Sequence, residues 1–148
     1  MDKRRFFSKF YFVLLICLLI LPCSKYADGA RWVFYGASQV EINYYDADSV
    51  TPLPNNIIRV WVKHIPQDAA IPLKLPNAFL FNIPENCPHS IALYEINCTN
   101  STFDVLALTE YNDKGEVTYS EASPIGYTNI APDSVGNSLK KIVCQIKD

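Results

Sequence analysis

Cys87-Pro88-His89 places a potential nucleophile two residues from a potential base, and it is the sharpest chemical signal in the chain. A thiol beside an imidazole can be activated as a thiolate, and the same two side chains could serve as metal ligands. Neither chemistry is complete. Structural zinc needs four ligands at defined spacings, and the only other histidine, His64, belongs to no such cluster. A cysteine nucleophile needs a third group to orient its base, and none is evident near this proline-rich stretch. Asp46, Asp48, Asp104 and Asp113 do not have the spacing of a calcium loop with its closing Glu. Asp46 and Asp48 read as turn formers. Five glycines leave little room for a phosphate-binding loop. The sequons at Asn97 and Asn100 carry weight only in a eukaryotic secretory pathway. We therefore expect no catalytic residue, no metal ligand and no cofactor. A thiol-dependent secreted enzyme built on Cys87 is the one enzymatic alternative.

The elements that must position these residues begin after a distinctive N-terminus. Lys3, Arg4, Arg5 and Lys9 precede an apolar run from Phe10 to Leu21, closed by Pro22. About a dozen apolar residues suit the core of an export signal, whereas a spanning helix needs about 20. Ala27 and Gly29 supply small residues at the −3 and −1 positions, so residues 1–29 read as a signal peptide cleaved before Ala30. Two rival readings are an uncleaved anchor and bacterial lipidation at Cys23, for which Pro22 is a poor preceding residue. Export places the remainder where disulfides persist.

Residues 30–148 amount to one domain, large enough to bury roughly two thirds of its unfolded surface. They carry eight Lys/Arg against thirteen Asp/Glu, a net charge of −5, where the whole chain has −2. Nucleic-acid binding needs clustered cations to neutralise phosphates, so this balance argues against it. No second apolar run approaches membrane-spanning length. Cys17 and Cys23 leave with the signal. Cys87, Cys98 and Cys144 then allow one bridge and one leftover thiol, in any of three pairings. Cys87 reads as a small half-buried hydrophobe; an intermolecular bridge or a reactive thiol is the sharper alternative.

The pattern predicts strands over 32–35 and 40–45, joined by a turn at Gly36–Gln39. Residues 57–65 form the cleanest strand: Ile58, Val60 and Val62 alternate with Arg59, Trp61 and Lys63. Trp61 and its flanking cations could be a contact surface, but the reading preferred is an outer face packed beneath the C-terminal helix. Five prolines between Pro66 and Pro88 predict a long connection there, packed down by its apolar residues and suited to partner-specific variation. Strands follow over 90–98, 102–111 and 116–121, with Asn112–Gly115 as a hairpin turn and Gly115 at a left-handed position. Pro132-Asp133-Ser134 opens a helix that Asp133 or Ser134 can cap. Val135, Leu139, Ile142, Val143 and Ile146 give it one apolar stripe. Lys140, Lys141 and Lys147 lie toward its negative end. The expected fold is α+β: a single antiparallel, meander-like sheet of about six strands packed against a C-terminal helix.

An ordered set of residues resembles the bacterial surface-adhesin protein E family. It comprises Trp32, Tyr44-Tyr45-Asp46 with Ser49-Val50, the Arg59–Lys63 strand, Tyr94 to Cys98, Tyr111 to Gly115, Ile130 to Ser134, and Cys144. Tyr127 stands where relatives often carry Trp. Cys87 and the proline-rich stretch depart from the family pattern. The resemblance implies a sheet-and-helix domain in which Cys98 and Cys144 pair, stapling the helix to a strand. It also implies an exported, non-enzymatic envelope protein, periplasmic or at the outer surface, with a protein partner such as a matrix protein. The founding member binds vitronectin and laminin. It transfers no binding residue to this chain. A periplasmic accessory protein without adhesive role is the alternative.

Overall fold

The computed structural model describes residues 29–69, 71–75, 78–82 and 87–146. The export segment expected at 1–29 falls, but for Gly29, outside the described residues, as does Lys147.

Among the described residues ten strands and one α-helix follow in order. They are β1 (Trp32–Ala37), β2 (Glu41–Asp46), β3 (Thr51–Leu53), β4 (Ile57–Pro66), β5 (Ile71–Leu75), β6 (Ala78–Asn82), β7 (His89–Asn97), β8 (Thr102–Tyr111), β9 (Val117–Glu121), β10 (Thr128–Asn129) and α1 (Val135–Val143). Eight strands make one antiparallel sheet in the order β1-β2-β4-β7-β8-β10, with β3 beside β4 and β9 beside β8. Two short strands line one side of each long one. On β4, residues 62–66 pair with β2 and 57–59 with β3. On β8, residues 108–111 pair with β9 and 102–103 with β10. The α+β class and the six expected strands are all present. The short strands β3 and β10 raise the sheet to eight.

Several sequence expectations change. The proline-rich connection holds a hairpin of its own, β5–β6, paired from Ile71–Asn82 to Leu75–Ala78. A two-stranded ribbon is all edge, so Pro72 can sit in it where a central strand would lose a ladder bond. Gly36 lies inside β1, at a register shift between Phe34 and Gly36, and is no turn residue. A Cβ there would come within 3.2 Å of a Val135 methyl, so glycine is what lets the helix approach β1 this closely.

The alternation of β4 divides the molecule. Ile58, Val60 and Val62 enter a core with Tyr35, Tyr45, Ala92, Ile96, and Leu139 and Val143 of α1. The helix therefore covers the aliphatic face. Trp61, expected beneath it, lies on the opposite face and is 38% exposed. Desolvating Arg59 and Lys63 under a helix would cost more than burying three aliphatics gains. Ser134 caps α1, its Oγ accepting from the Asn137 amide at 3.1 Å. Asp133 takes a left-handed conformation, φ 60°. The apolar stripe ends at Val143; Ile146 lies beyond the helix and is exposed. A disulfide between Cys98, just after β7, and Cys144 at the end of α1 ties helix to sheet, Cα atoms 5.8 Å apart. Gly115 holds the expected left-handed turn, φ 76°.

Candidate functional site

The face that carries α1 is only partly covered by it. Where β2, β4 and β7 run out from under the helix, alternation brings Glu41, Asn43, His64 and Tyr94 together. Asn43 and His64 are register partners across β2 and β4. Asn43 is 3% exposed, so its amide needs a partner. His64 Nδ1 donates to Asn43 Oδ1 at 2.6 Å. That leaves Nε2 as acceptor for the Tyr94 hydroxyl at 3.2 Å, and a neutral imidazole satisfies both bonds. Burial lowers the His64 pKa below its ordinary value, with the Glu41 carboxylate, 3.6 Å from Nδ1, opposing. Burial pushes the Tyr94 phenol up to about 12, and raises Tyr35 beside it as well. The chain Tyr94–His64–Asn43 is thus a row of neutral hydrogen bonds.

Two cavities meet at this row. The first, about 390 Å³, lies between the sheet and the first turn of α1, reaching Tyr35, Ser134 and Leu139. The second, about 380 Å³, extends over β7 and β8 toward Glu110, Glu121 and Ile125. Glu41, His64 and Tyr94 line both.

The opposite face carries a different chemistry. Lys63 Nζ sits 4.4 Å from the centre of the Trp32 ring, a cation–π contact. Arg59 Nε donates to Glu95 Oε1 at 3.1 Å, and Tyr127 donates its hydroxyl to Glu95 Oε2 at the same distance. Phe34 meets Tyr44 edge-on, ring centres 5.9 Å apart. Phe34, Trp61 and Tyr127 stay substantially exposed. This face is the contact-surface alternative for Trp61, and the helix leaves it open.

The Cys87–His89 pair does not act as a pair. Cys87 is buried, more fully than expected, and not disulfide-bonded. Burial raises its thiol pKa, with Lys63 opposing, so the nucleophilic thiolate is disfavoured. His89 Nδ1 donates to the Cys87 carbonyl at 2.9 Å and its ring stacks on Tyr111, 4.8 Å between centres. Asp46 and Asp48 do form a turn: Asp46 Oδ1 accepts from the Arg31 and Asp48 amides, and Asp48 pairs with Arg31 at 2.8 Å. Asp104 Oδ1 accepts from the Ile125 and Gly126 amides and anchors the segment before β10. Asn97 caps its own turn through the Thr99 and Asn100 amides.

A family model for surface-adhesin protein E matches residues 32–145, from the first residue of β1 to one past the bonded Cys144. The chain belongs to the surface-adhesin protein E family. A comparison with curated proteins finds no match. Membership suggests an adhesin-like surface protein: it implies an exported or cell-surface location, suggests binding to other proteins, and suggests a role other than catalysis. Among the described residues no helix is long and apolar enough to cross a membrane.

The residues that carried the resemblance prove largely architectural in this adhesin-family domain. Tyr45 is core, Asp46 a turn acceptor, Ser134 a cap, and Cys98 and Cys144 the staple that the resemblance implied. Trp32, Trp61 and Lys63 lie on the face opposite the helix, and Tyr94, Ile96, Ile130, Ala131 and Ser134 line the first cavity. Glu41 and Asn43 were not singled out in the sequence, because nothing local tells which residue of β4 they will face.

Proposed function

We propose that this protein is an exported, non-enzymatic binding domain of the bacterial cell envelope that engages a protein partner. One observation carries the reading: the surface-adhesin protein E model spans the folded unit from β1 to the stapled helix, so the family's role attaches to this domain itself. Residues 1–29 act as its export signal, with cleavage before Ala30. The partner surface is the open face around Trp61. Exposed aromatics with cations beside them are the chemistry enriched at binding hot spots, and here Trp61, Phe34 and Tyr127 supply the aromatics. The partner class is an extracellular matrix protein, for which vitronectin and laminin are the natural probes.

The test is a titration of the purified protein on immobilised vitronectin and laminin across a salt series. Saturable binding that survives moderate salt and falls about tenfold in Trp61→Ala supports the reading. Absence of binding to either protein, or loss of binding as soon as surface charge is screened, overturns the matrix-binding role. Protease added to intact cells checks the location: survival of the folded domain would place it in the periplasm, as an accessory protein.

A further inference from the structure

From the two adjoining cavities on the helix side of the sheet, which share Glu41, His64 and Tyr94 as lining, we infer a second docking surface, which takes a Lys- or Arg-bearing amphipathic segment of a partner protein. The inference rests on the reading as a protein-binding domain and names the chemistry of one partner element.

Three features select that occupant. The first is charge. Among the described residues, carboxylates are the only charged side chains lining either cavity, apart from His64, which burial holds toward its neutral form: Glu41 in both, and Glu110 and Glu121 in the second. Glu41 keeps half of its side chain open to solvent. No described Lys or Arg lines either space. The second is the floor. Ala92, Val105 and Leu108 form an apolar bed beneath those carboxylates, and Ile125, 70% exposed, stands at the rim. A long cationic side chain lays its methylene stem on such a bed and keeps its charge at the edge. The third is polarity along the trough. The first turn of α1 borders the first cavity, and the positive end of the helix dipole there favours negative charge. The cation therefore belongs in the second cavity, with an apolar neighbour of the same segment entering the first. Each cavity falls in the size range that holds one or a few side chains.

The probe for the partner segment is a short alternating Leu-Lys peptide carrying a fluorophore, titrated against the purified protein by anisotropy. Ser-Lys and Leu-Glu peptides of equal length serve as comparisons. Saturable binding of Leu-Lys, with Ser-Lys and Leu-Glu much weaker, is the expected result. The Glu110→Gln/Glu121→Gln double variant, altered at surface carboxylates and so expected to fold, should weaken Leu-Lys binding about tenfold. Trp61→Ala, on the other face, should leave it unchanged. Equal binding of Ser-Lys and Leu-Lys, or no response to the double variant, overturns the inference, because the attraction is then only the protein's net negative charge. Leu-Lys failing while vitronectin or laminin still binds would refute this surface alone. Leu-Lys binding with no matrix binding would refute the matrix reading alone.

Discussion

The two faces of the sheet are built from the same strands and finish differently. On one, Ile58, Val60 and Val62 meet Leu139 and Val143, and a disulfide locks the contact. On the other, Trp61 stays exposed while Arg59 and Lys63 are half-buried, each charge given a neighbour: Glu95 for Arg59 and the Trp32 ring for Lys63. Further along the same face Ile42 and Ile65 are buried. Alternation sorts residues into two sets without saying which set will be covered. The helix decides that. Its stripe gains roughly 1.5–3 kcal/mol for each large aliphatic it buries, and it gains nothing over a face whose cations must keep their water. The proposed partner surface is thereby the face that the helix leaves uncovered.

The contrast can be broken first at the staple. Cys98→Ser or Cys144→Ser should cost about 4 kcal/mol, the loop-closure value for a separation of 46 residues, read as a fall in Tm under non-reducing conditions. Cys87→Ala should cost only about 1 kcal/mol; an equal fall for all three would refute the assigned roles. Next comes the helix contact. Leu139→Ala removes a residue that is 1% exposed and should cost about 3 kcal/mol by urea unfolding. A smaller intervention separates cavity from core. Tyr94→Phe deletes the hydroxyl that donates to His64 Nε2 and should cost about 1 kcal/mol.

The same histidine gives a pH signature. Its pKa in the folded state lies below the ordinary 6.5, so the unfolded chain takes up a proton first as the solution is acidified. The stability that neutral His64 contributes is complete above pH 6.5 and is lost as pH falls through the lower folded value. His64→Gln should flatten that part of a Tm-against-pH curve; an unaltered slope would assign it to other groups. The smallest effect belongs to the open face: Trp61→Ala should change stability by no more than about 0.5 kcal/mol while reducing partner binding, and a large loss of stability would show that this face is packed after all.

Much of the architecture was legible because it depends on local rules. The period of two across 57–65, the turn chemistry of Asn112–Gly115 and the cap at Ser134 each follow from neighbours a few residues apart. Where neighbours misled, the reason is physical. Pro72 argued against a strand, yet an isolated ribbon has no inner ladder for it to break. Gly36 argued for a turn, yet its missing Cβ serves a contact with Val135 almost a hundred residues later. Thr128 and Asn129 are too short a segment to signal a strand, and they pair with β8 next to the backbone that Asp104 anchors. The cavity row was illegible for a related reason. Asn43, His64 and Tyr94 come from three strands, and one residue of register slip would turn each to the other face.

The sequence by itself determined the strand and helix propensities, the apolar stripe of α1, the acidic charge of residues 30–148 and the cysteines available to bond. Those properties reside in single residues or in short windows. Only the tertiary structure decided which sheet face the helix covers, that Cys87 is the buried thiol left over, and that Glu41, Asn43, His64 and Tyr94 share one trough. Such outcomes depend on register and on competition between faces for burial, and neither is set until distant segments meet.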